Sequence, residues 1–385
     1  MTWSYRIATI RNIPVHVHVT FVLLVLLVAA HWSALGPVGM VFGVGMALLL
    51  FGCVTLHELG HAVAAQHFGI PVRRIVLLPF GGVALLGREP RNALQELLIA
   101  AAGPAMNVLV VAALLPALWL LGEPLSIGPA LLGPSDATTI SVGEAVRWLV
   151  GANLSLVVFN LIPAFPLDGG RILRGLLGLA TDWSTATRLA TGVGQALAVG
   201  MGVYGVTTGR VSLAIVAVLI FLAASATNAE EQGRTVLASQ RVGDACNRHA
   251  IVLDEREGLG DVVRYLLTTY QPDFAVMCGA ELLGVVQRTQ VLTALMHGRG
   301  DVPVTAVMGT CQRLRADDSL AHVRTVLVES GARVAAVYDG ERYLGLVSLD
   351  DISEAEMVLA AVQRTAGRRP WPPEARVATP AMQER

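Results

Sequence analysis

The stretch VTLHELGHAVAAQHFG, residues 54–69, carries three histidines and a glutamate inside an apolar segment. His57, Glu58 and His61 form the pattern HExxH. Residues four apart share a helix face, so two imidazoles can bind one zinc ion while the glutamate acts on a water molecule as a general base. Titratable groups are costly inside a membrane and are usually functional there. The pattern therefore predicts a metal site on a membrane helix, rather than a helix whose histidines merely face a neighbour.

His67 has the spacing of a third ligand but lacks its turn. The pattern HExxHxxGxxH needs a glycine that turns the chain back, and this sequence has Ala64 there. On an unbroken helix, His67 lies about 15 Å along the axis from His57 and points about 120° away from His61. We therefore expect His67 at the membrane interface and the third ligand elsewhere.

The composition indicates a membrane protein. Of 385 residues, 54% are hydrophobic and 15% are charged, whereas soluble proteins carry about 25% charged residues. The net charge of -1 gives no indication of a nucleic-acid partner. Segments long enough to span a bilayer occur near residues 15–35, 38–68, 93–121, 143–163, 189–208 and 211–228. We expect about six transmembrane helices, the first of them an uncleaved helix rather than a signal peptide.

The arginines predict the orientation of these helices. Cytoplasmic loops of membrane proteins carry an excess of basic residues. Arginines precede the first segment and follow the second and the fourth, whereas the opposite loops hold few. The arginines on the first side are Arg6, Arg11, Arg73, Arg74, Arg88, Arg91, Arg171, Arg174 and Arg188. We expect a multi-pass protein of the cell membrane with both termini in the cytoplasm.

The stretch FNLIPAFPLDGGRIL, residues 159–173, interrupts the fourth segment. Pro163 and Pro166 break a membrane helix, which is tolerated only where the backbone is buried in protein or lines a cavity. The break puts Asn160 and Asp168 at membrane depth. Asp168 could act only as a cap of the next helix, but a cap does not explain the asparagine and prolines upstream.

With HELGH and NLIPAFPLDGG both present, residues 1–230 resemble the site-2 proteases, which are zinc metalloproteases that cut within membranes. The resemblance implies that His57, His61 and Asp168 bind one zinc ion per chain. It implies that Glu58 is the catalytic base.

The same resemblance implies a role for Asn160 and a class of substrate. Asn160 would assist the tetrahedral oxyanion or position the substrate, and a side-chain amide is a suitable donor for that role. The implied partner is a single-pass membrane protein, cut within the lipid bilayer.

The stretch RRIVLLPFGGVALLG, residues 73–87, predicts a β-hairpin. Two apolar, β-prone runs flank a turn signal that contains Phe80, Gly81 and Gly82. Such a hairpin would offer a strand edge to an unwound substrate, and these three residues are the predicted substrate-positioning residues. The alternative is an ordinary hairpin at the cytoplasmic surface.

The part after residue 230 contains an internal repeat. A shift of 61 positions aligns LLGVV at 282–286 with YLGLV at 343–347. Each copy is predicted to form a helix, two short strands and a second helix. The copies cover about residues 241–300 and 301–355, and we expect them to pack on each other because neither buries enough surface alone.

Residues 241–355 resemble a tandem pair of cystathionine-β-synthase (CBS) domains. The expected fold is therefore a polytopic α-helical membrane protein followed by an α/β tandem CBS domain. Residues 364–385 are rich in proline and arginine, which predicts a disordered tail.

Tandem CBS domains commonly bind adenine nucleotides and often dimerise, so the resemblance implies a regulatory module and a homodimer. The nucleotide motif has a serine or threonine followed three residues later by an aspartate or asparagine, matched here by Ser348 and Asp351. The first copy departs from it, with Gln287 and Gln290. A purely structural pairing module is the alternative.

Two classes of function remain at this point. The first is an intramembrane zinc protease regulated by its CBS pair. The alternative is a CBS-regulated transporter or channel without protease activity, which has no need of HExxH and a distant LDGG. An inactive scaffold would require departures at these motifs, and the sequence shows none.

Overall fold

The structure is a computed structural model that describes residues 3–79, 81–90, 92–123 and 140–366. The chain divides into two compact units, Met1–Glu231 and Gln232–Arg385.

The first unit combines long helices with a small sheet. Its helices are α1 (Thr20–Trp32), α2 (Gly36–His67), α3 (Ala93–Leu120), α4 (Val142–Asn160), α5 (Asp168–Gly178), α6 (Trp183–Thr207) and α7 (Val211–Ala238), with a 3₁₀ turn at Ser33–Leu35. The last residues of α7, from Gln232 onward, belong to the second unit. Its strands are β1 (Ser4–Ile10), β2 (Ile13–His18), β3 (Val72–Leu78) and β4 (Gly81–Leu86).

Five helical stretches in the described residues are long and apolar enough to cross a membrane. They are Thr20–His67, Ala93–Leu120, Val142–Asn160, Trp183–Thr207 and Val211–Ala238. The first contains a reversal, because the ring of Phe21 packs 4.5 Å from the ring of Phe51 and α1 therefore folds back along α2. With 13 residues, α1 is about 20 Å long, shorter than the hydrocarbon core of about 30 Å.

The predicted first membrane helix starts too early. Residues Ile13–His18 form strand β2 rather than the beginning of a helix near residue 15. Apolar and polar residues alternate there, and the strand runs parallel to β3, with Val15 opposite Ile75. A strand with a partner satisfies its backbone groups outside the helix, so α1 begins only at Thr20.

The sheet packs against the second half of α2. Its strand order is β1-β2-β3-β4, and it includes the predicted hairpin as β3 and β4. One face contributes Ile13, Val15, Ile75 and Leu77 to a buried cluster with Ala62 of α2. The small side chain of Ala62 allows the sheet to approach the helix closely, so β4 lies next to the HExxH turn.

The second unit consists of two similar halves. The first half contains α8 (Val242–Ala245), β5 (Val252–Asp254), α9 (Leu259–Thr268), β6 (Asp273–Cys278), β7 (Glu281–Gln287) and α10 (Arg288–Met296), followed by a 3₁₀ turn at Val304–Ala306. The second contains β8 (Gln312–Arg315), α11 (Leu320–Ser330), β9 (Val334–Asp339), β10 (Arg342–Ser348) and α12 (Leu349–Ala366).

The predicted helix-strand-strand-helix repeat is confirmed. In each half a leading strand, β5 or β8, runs parallel to the next strand, which pairs with the last strand in antiparallel fashion. The sequence analysis did not predict these leading strands, which have only three and four residues. The predicted tail falls mainly on residues 367–385, which lie outside the described residues.

The C-terminal unit should lose stability as pH rises through the titration of Asp273. Burial, together with Asp351 and Asp350 and against the effect of Arg333, raises the pKa of Asp273 to about 6. An unfolded aspartate releases its proton near pH 4. Folding therefore binds a proton between about pH 4 and pH 6, so stability is highest below that window and falls as pH rises through it.

Asp273→Asn removes this contribution. Allowing for solvent screening, the stability of the variant relative to wild type should rise by about 1–2 kcal/mol between pH 4 and pH 7. Hydrogen–deuterium exchange of β6 in the full-length protein, corrected for intrinsic rates, measures this difference. A difference that does not change with pH would contradict the prediction.

Candidate metal centre

Three side chains from two helices meet at one point. His57 and His61 lie one turn apart on α2, and Asp168 is the first residue of α5. The Nε2 atoms of the two histidines are 3.1 Å apart. Asp168 Oδ2 lies 3.2 Å from Nε2 of His57 and 3.3 Å from Nε2 of His61.

This triangle fits a tetrahedral zinc ion. A tetrahedron with ligands about 2.0–2.1 Å from its centre has edges of about 3.3–3.4 Å, close to the three observed separations. Among the described residues, these three side chains form the group of His, Cys, Asp and Glu that can hold a metal ion. Two imidazole nitrogens and one carboxylate oxygen are ligands that zinc accepts, with a fourth position left open.

The broken segment before α5 delivers the carboxylate. After α4 the chain makes tight turns, with the amide of Ala164 donating to Ile162 O and that of Gly170 donating to Leu167 O. A Cβ at Gly170 would lie 2.6 Å from Phe165 N, and one at Gly169 would overlap the backbone of Ile162. Glycine is therefore required at both positions for the chain to fold tightly enough to present Asp168.

A buried ion pair ties α5 to α3. Arg174 donates through Nε to both carboxylate oxygens of Glu96, at 3.1 and 3.0 Å, and Glu96 is 4% exposed. The guanidinium also stacks over the rings of Phe165 and Trp183 at 5.0 and 4.7 Å. These contacts hold the helix that carries Asp168 against the helix that lines the metal ligands.

Helix α3 lines the other side of the site. His61 Nδ1 makes a hydrogen bond with Ile99 O at 2.7 Å, which orients the ring. A Cβ at Gly103 would overlap His61 Nε2 and would lie 2.8 Å from His57 Cε1. A glycine on α3 therefore makes room for both imidazoles.

Glu58 faces the sheet. Its Oε2 accepts a hydrogen bond of 3.0 Å from the amide of Ala84 in β4. A Cβ at Gly82 would overlap the Glu58 side chain, so the strand and the carboxylate are in close contact. Gly81 begins β4 with a φ of 143°, and Phe80 lies outside the described residues.

The structure leaves other candidate residues apart from the triangle. Asn160 is the last residue of α4, and no hydrogen bond joins it to the three ligands in the described residues. Helix α2 continues unbroken through His67, whose ring packs on Phe68 as expected for a residue at the helix end. His16 and His18 are in strand β2.

Ser348 and Asp351 bond to each other in the second unit. Asp351 Oδ2 accepts from the amide and the hydroxyl of Ser348, both at 2.8 Å, and the arrangement caps α12. Gln287 and Gln290 form the equivalent capping box at α10. Gln287 and Gln290 therefore depart from the nucleotide motif but still cap α10.

Sequence analysis missed several residues that shape the site. The sequence analysis gives no site role to Gly103 or Glu96. Glu96 carried a signal, because a carboxylate within an apolar segment is unusual, whereas glycine is frequent in membrane helices and gave none. Only the fold shows which ligand or helix each of them contacts.

Comparison with known proteins gives three results. The pattern described as "Peptidase family M50" matches residues 45–201. The putative zinc metalloprotease Rip3 of Mycobacterium tuberculosis is 34% identical over 326 residues, covering 81% of this chain and 80% of Rip3. The site-2 protease structure from Methanocaldococcus jannaschii is 32% identical, with TM-score 0.41, over 59% of this chain and 95% of that one.

The second unit also aligns with a solved structure. The CBS domain of a bacterial CNNM/CorC family Mg²⁺ transporter in complex with ATP is 16% identical, with TM-score 0.30. The alignment covers 33% of this chain and 93% of that chain.

Gly103→Ala should disrupt metal binding. The added methyl group would displace His61 and His57, so metal affinity should fall at least about tenfold. Helix content should be preserved, because alanine favours helices over glycine. Gly45→Ala, on α2 with open space around it, is the matched control. Metal content and circular dichroism of the purified proteins measure the effects, and unchanged affinity in Gly103→Ala would contradict the prediction.

Proposed function

This chain belongs to peptidase family M50, the site-2 proteases, and on that premise we propose that it cuts a membrane-anchored protein at a zinc site built by His57, His61 and Asp168. The observation that carries the proposal is the triangle of ligand atoms with edges of 3.1, 3.2 and 3.3 Å. Zinc bound there would supply the Lewis acidity that polarises water and the scissile carbonyl.

Glu58 is the proposed catalytic base. It follows His57 in the chain, is 9% exposed, and presents its carboxylate between the metal ligands and β4. From that position the carboxylate can accept a proton from the attacking water and return it to the departing amine. The buried surroundings exclude other water, which strengthens electrostatic interactions at the carboxylate.

Asn160 is the proposed oxyanion or substrate-positioning residue. It ends α4 directly before the broken segment that leads to Asp168. Its amide is partly exposed, so it remains accessible to a substrate. An amide donor that strengthens its hydrogen bond as charge develops on the carbonyl oxygen would assist the reaction.

Strand β4 is the proposed docking edge for the substrate. It is the last strand of the sheet, so one of its edges is unpaired in the described residues. Gly81 and Gly82, at the start of β4, carry no side chain that would hinder an approaching backbone, and with Phe80 they form the proposed substrate-positioning segment. A transmembrane substrate must unwind before its peptide bonds are accessible, and strand addition stabilises the extended form.

The proposed topology has six transmembrane spans with both termini in the cytoplasm. The helical stretch Thr20–His67 contains α1 and α2, which run in opposite directions, so the five apolar stretches provide six helices. Helix α1 is shorter than the hydrocarbon core, so in this topology neighbouring protein would surround its ends. The excess of arginines in these loops favours the cytoplasmic side for β1–β4, and an even number of spans would then put the second unit in the cytoplasm as well.

The second unit is the proposed regulatory module. As a CBS pair it would bind an adenine nucleotide at Ser348 and Asp351 and form a homodimer. Exposed apolar side chains at the end of α9, just after it and at the end of α10 support a protein partner there; they are Leu267, Tyr270 and Met296. A CBS-regulated transporter is disfavoured, because transport gives no reason for a zinc triangle beside a carboxylate base.

Glu58→Gln should keep the metal and lose the activity. Purified wild-type protein should contain one zinc per chain and cut a single-pass membrane substrate. The variant should retain zinc, since the three ligands are unchanged, and should cut about 10²–10⁴-fold more slowly because the base is lost. Metal analysis and single-turnover cleavage in detergent or liposomes give both values. Cleavage at the wild-type rate would overturn the proposed role of Glu58.

Asp351→Ala should weaken nucleotide binding. The substitution removes the carboxylate that would hold the ribose hydroxyls, so affinity should fall about tenfold. Gln290→Ala, which removes the equivalent cap in the first half, is the control and should leave affinity unchanged. Calorimetry of the full-length protein with ATP, AMP and S-adenosylmethionine measures this. No heat with any of the three would count against a nucleotide site.

A further inference from the structure

The two metal-site histidines differ at their second ring nitrogen. His61 Nδ1 bonds to Ile99 O at 2.7 Å, which leaves its Nε2 free to bind metal. His57 Nδ1 is buried and has no hydrogen-bond partner among the described residues. Metal-binding histidines almost always donate this N–H to an acceptor, which sets the tautomer and the ring orientation. The hydrogen-bond acceptor for the Nδ1–H of His57 is therefore still to be identified.

On α3, the side chain of Asn107 could supply the acceptor that His57 Nδ1 lacks. It is 0% exposed, and neither its Oδ1 nor its Nδ2 has a partner among the described residues. A buried amide without hydrogen bonds costs about 1–3 kcal/mol, so it is expected to have a role that offsets the cost. Asn153, on α4, is equally buried. Its Nδ2 donates to Leu149 O at 2.8 Å, whereas its Oδ1 has no partner among the described residues.

The packing of α2 and α3 places Asn107 level with His57. Ile99 contacts His61, and one turn later Gly103 contacts both His61 and His57. Helices α2 and α3 therefore run antiparallel. Asn107 follows Gly103 by one further turn on the same face, which brings it to the level of His57, where the imidazole lacks its partner.

We infer that Asn107 is a positioning residue whose amide oxygen accepts the Nδ1–H of His57, directly or through one water. This hydrogen bond would hold the neutral tautomer that directs Nε2 toward Asp168 and His61. The inference rests on the proposed zinc site. It gives each histidine an acceptor from the same helix, a backbone carbonyl for His61 and a side-chain amide for His57.

The test uses two substitutions at one position in the full-length protein. Asn107→Leu keeps the volume and removes the acceptor, so zinc affinity should fall about 10- to 100-fold. Asn107→Asp keeps an acceptor oxygen and should restore affinity, as in carboxylate–histidine–zinc arrangements. Chelator competition measures the dissociation constant, and the visible spectrum with Co²⁺ in place of zinc reports ligand geometry independently of activity.

Asn153→Leu is the matched comparison, because it removes the other fully buried amide whose oxygen lacks a partner among the described residues; the inference expects its zinc affinity to stay unchanged. Wild-type affinity in Asn107→Leu, or an equal loss in Asn153→Leu, would overturn the inference. A folded Asn107→Asp variant that fails to bind zinc would also overturn the inference. If the leucine variant does not fold, the zinc affinity of the aspartate variant decides the test. Wild-type protein that binds no zinc would instead overturn the proposed function.

Discussion

The first unit is organised around the need to bring three ligand atoms within about 3.3 Å of one another. Two ligands come from adjacent turns of α2, but the third starts α5, more than a hundred residues later. The three ligand atoms can approach one another only because glycines lie on both sides of them. Gly103 clears space for the imidazoles, and Gly169 and Gly170 let the broken segment turn inward. Each glycine is a requirement of the metal geometry rather than of its own helix.

Buried polar groups then hold the ligand helices in register. The Glu96–Arg174 pair joins α3 to α5, and breaking such a pair by removing one partner leaves an uncompensated charge that costs about 3–5 kcal/mol. On the same helix α3, Ile99 O is the hydrogen-bond partner of His61, and Asn107 is the proposed partner of His57. The two residues lie eight positions, or about two turns, apart on one face of the helix.

The sheet beside α2 connects the reaction centre to its proposed substrate. Ala84 donates to Glu58, so the carboxylate that would act as base also contacts the strand on which a substrate would pair. The hairpin was predictable from its turn residues. Strands β1 and β2 were not, because IPVHVH precedes a long apolar run and looks like its beginning. Strand β2 pairs with β3, which lies more than fifty residues further along the chain.

By itself the sequence determined the membrane class, the repeat of the second unit, the helix that carries His57 and His61, and the rejection of His67. Each of these depends on periodicity or spacing within one segment, and local geometry converts such a pattern directly into structure. The resemblance implied Asp168 as a ligand, but only the tertiary structure decided the distances at which Asp168 meets the histidines and the contact of Glu58 with β4. Those relations join segments far apart in the chain, and their distances are set by how closely helices pack.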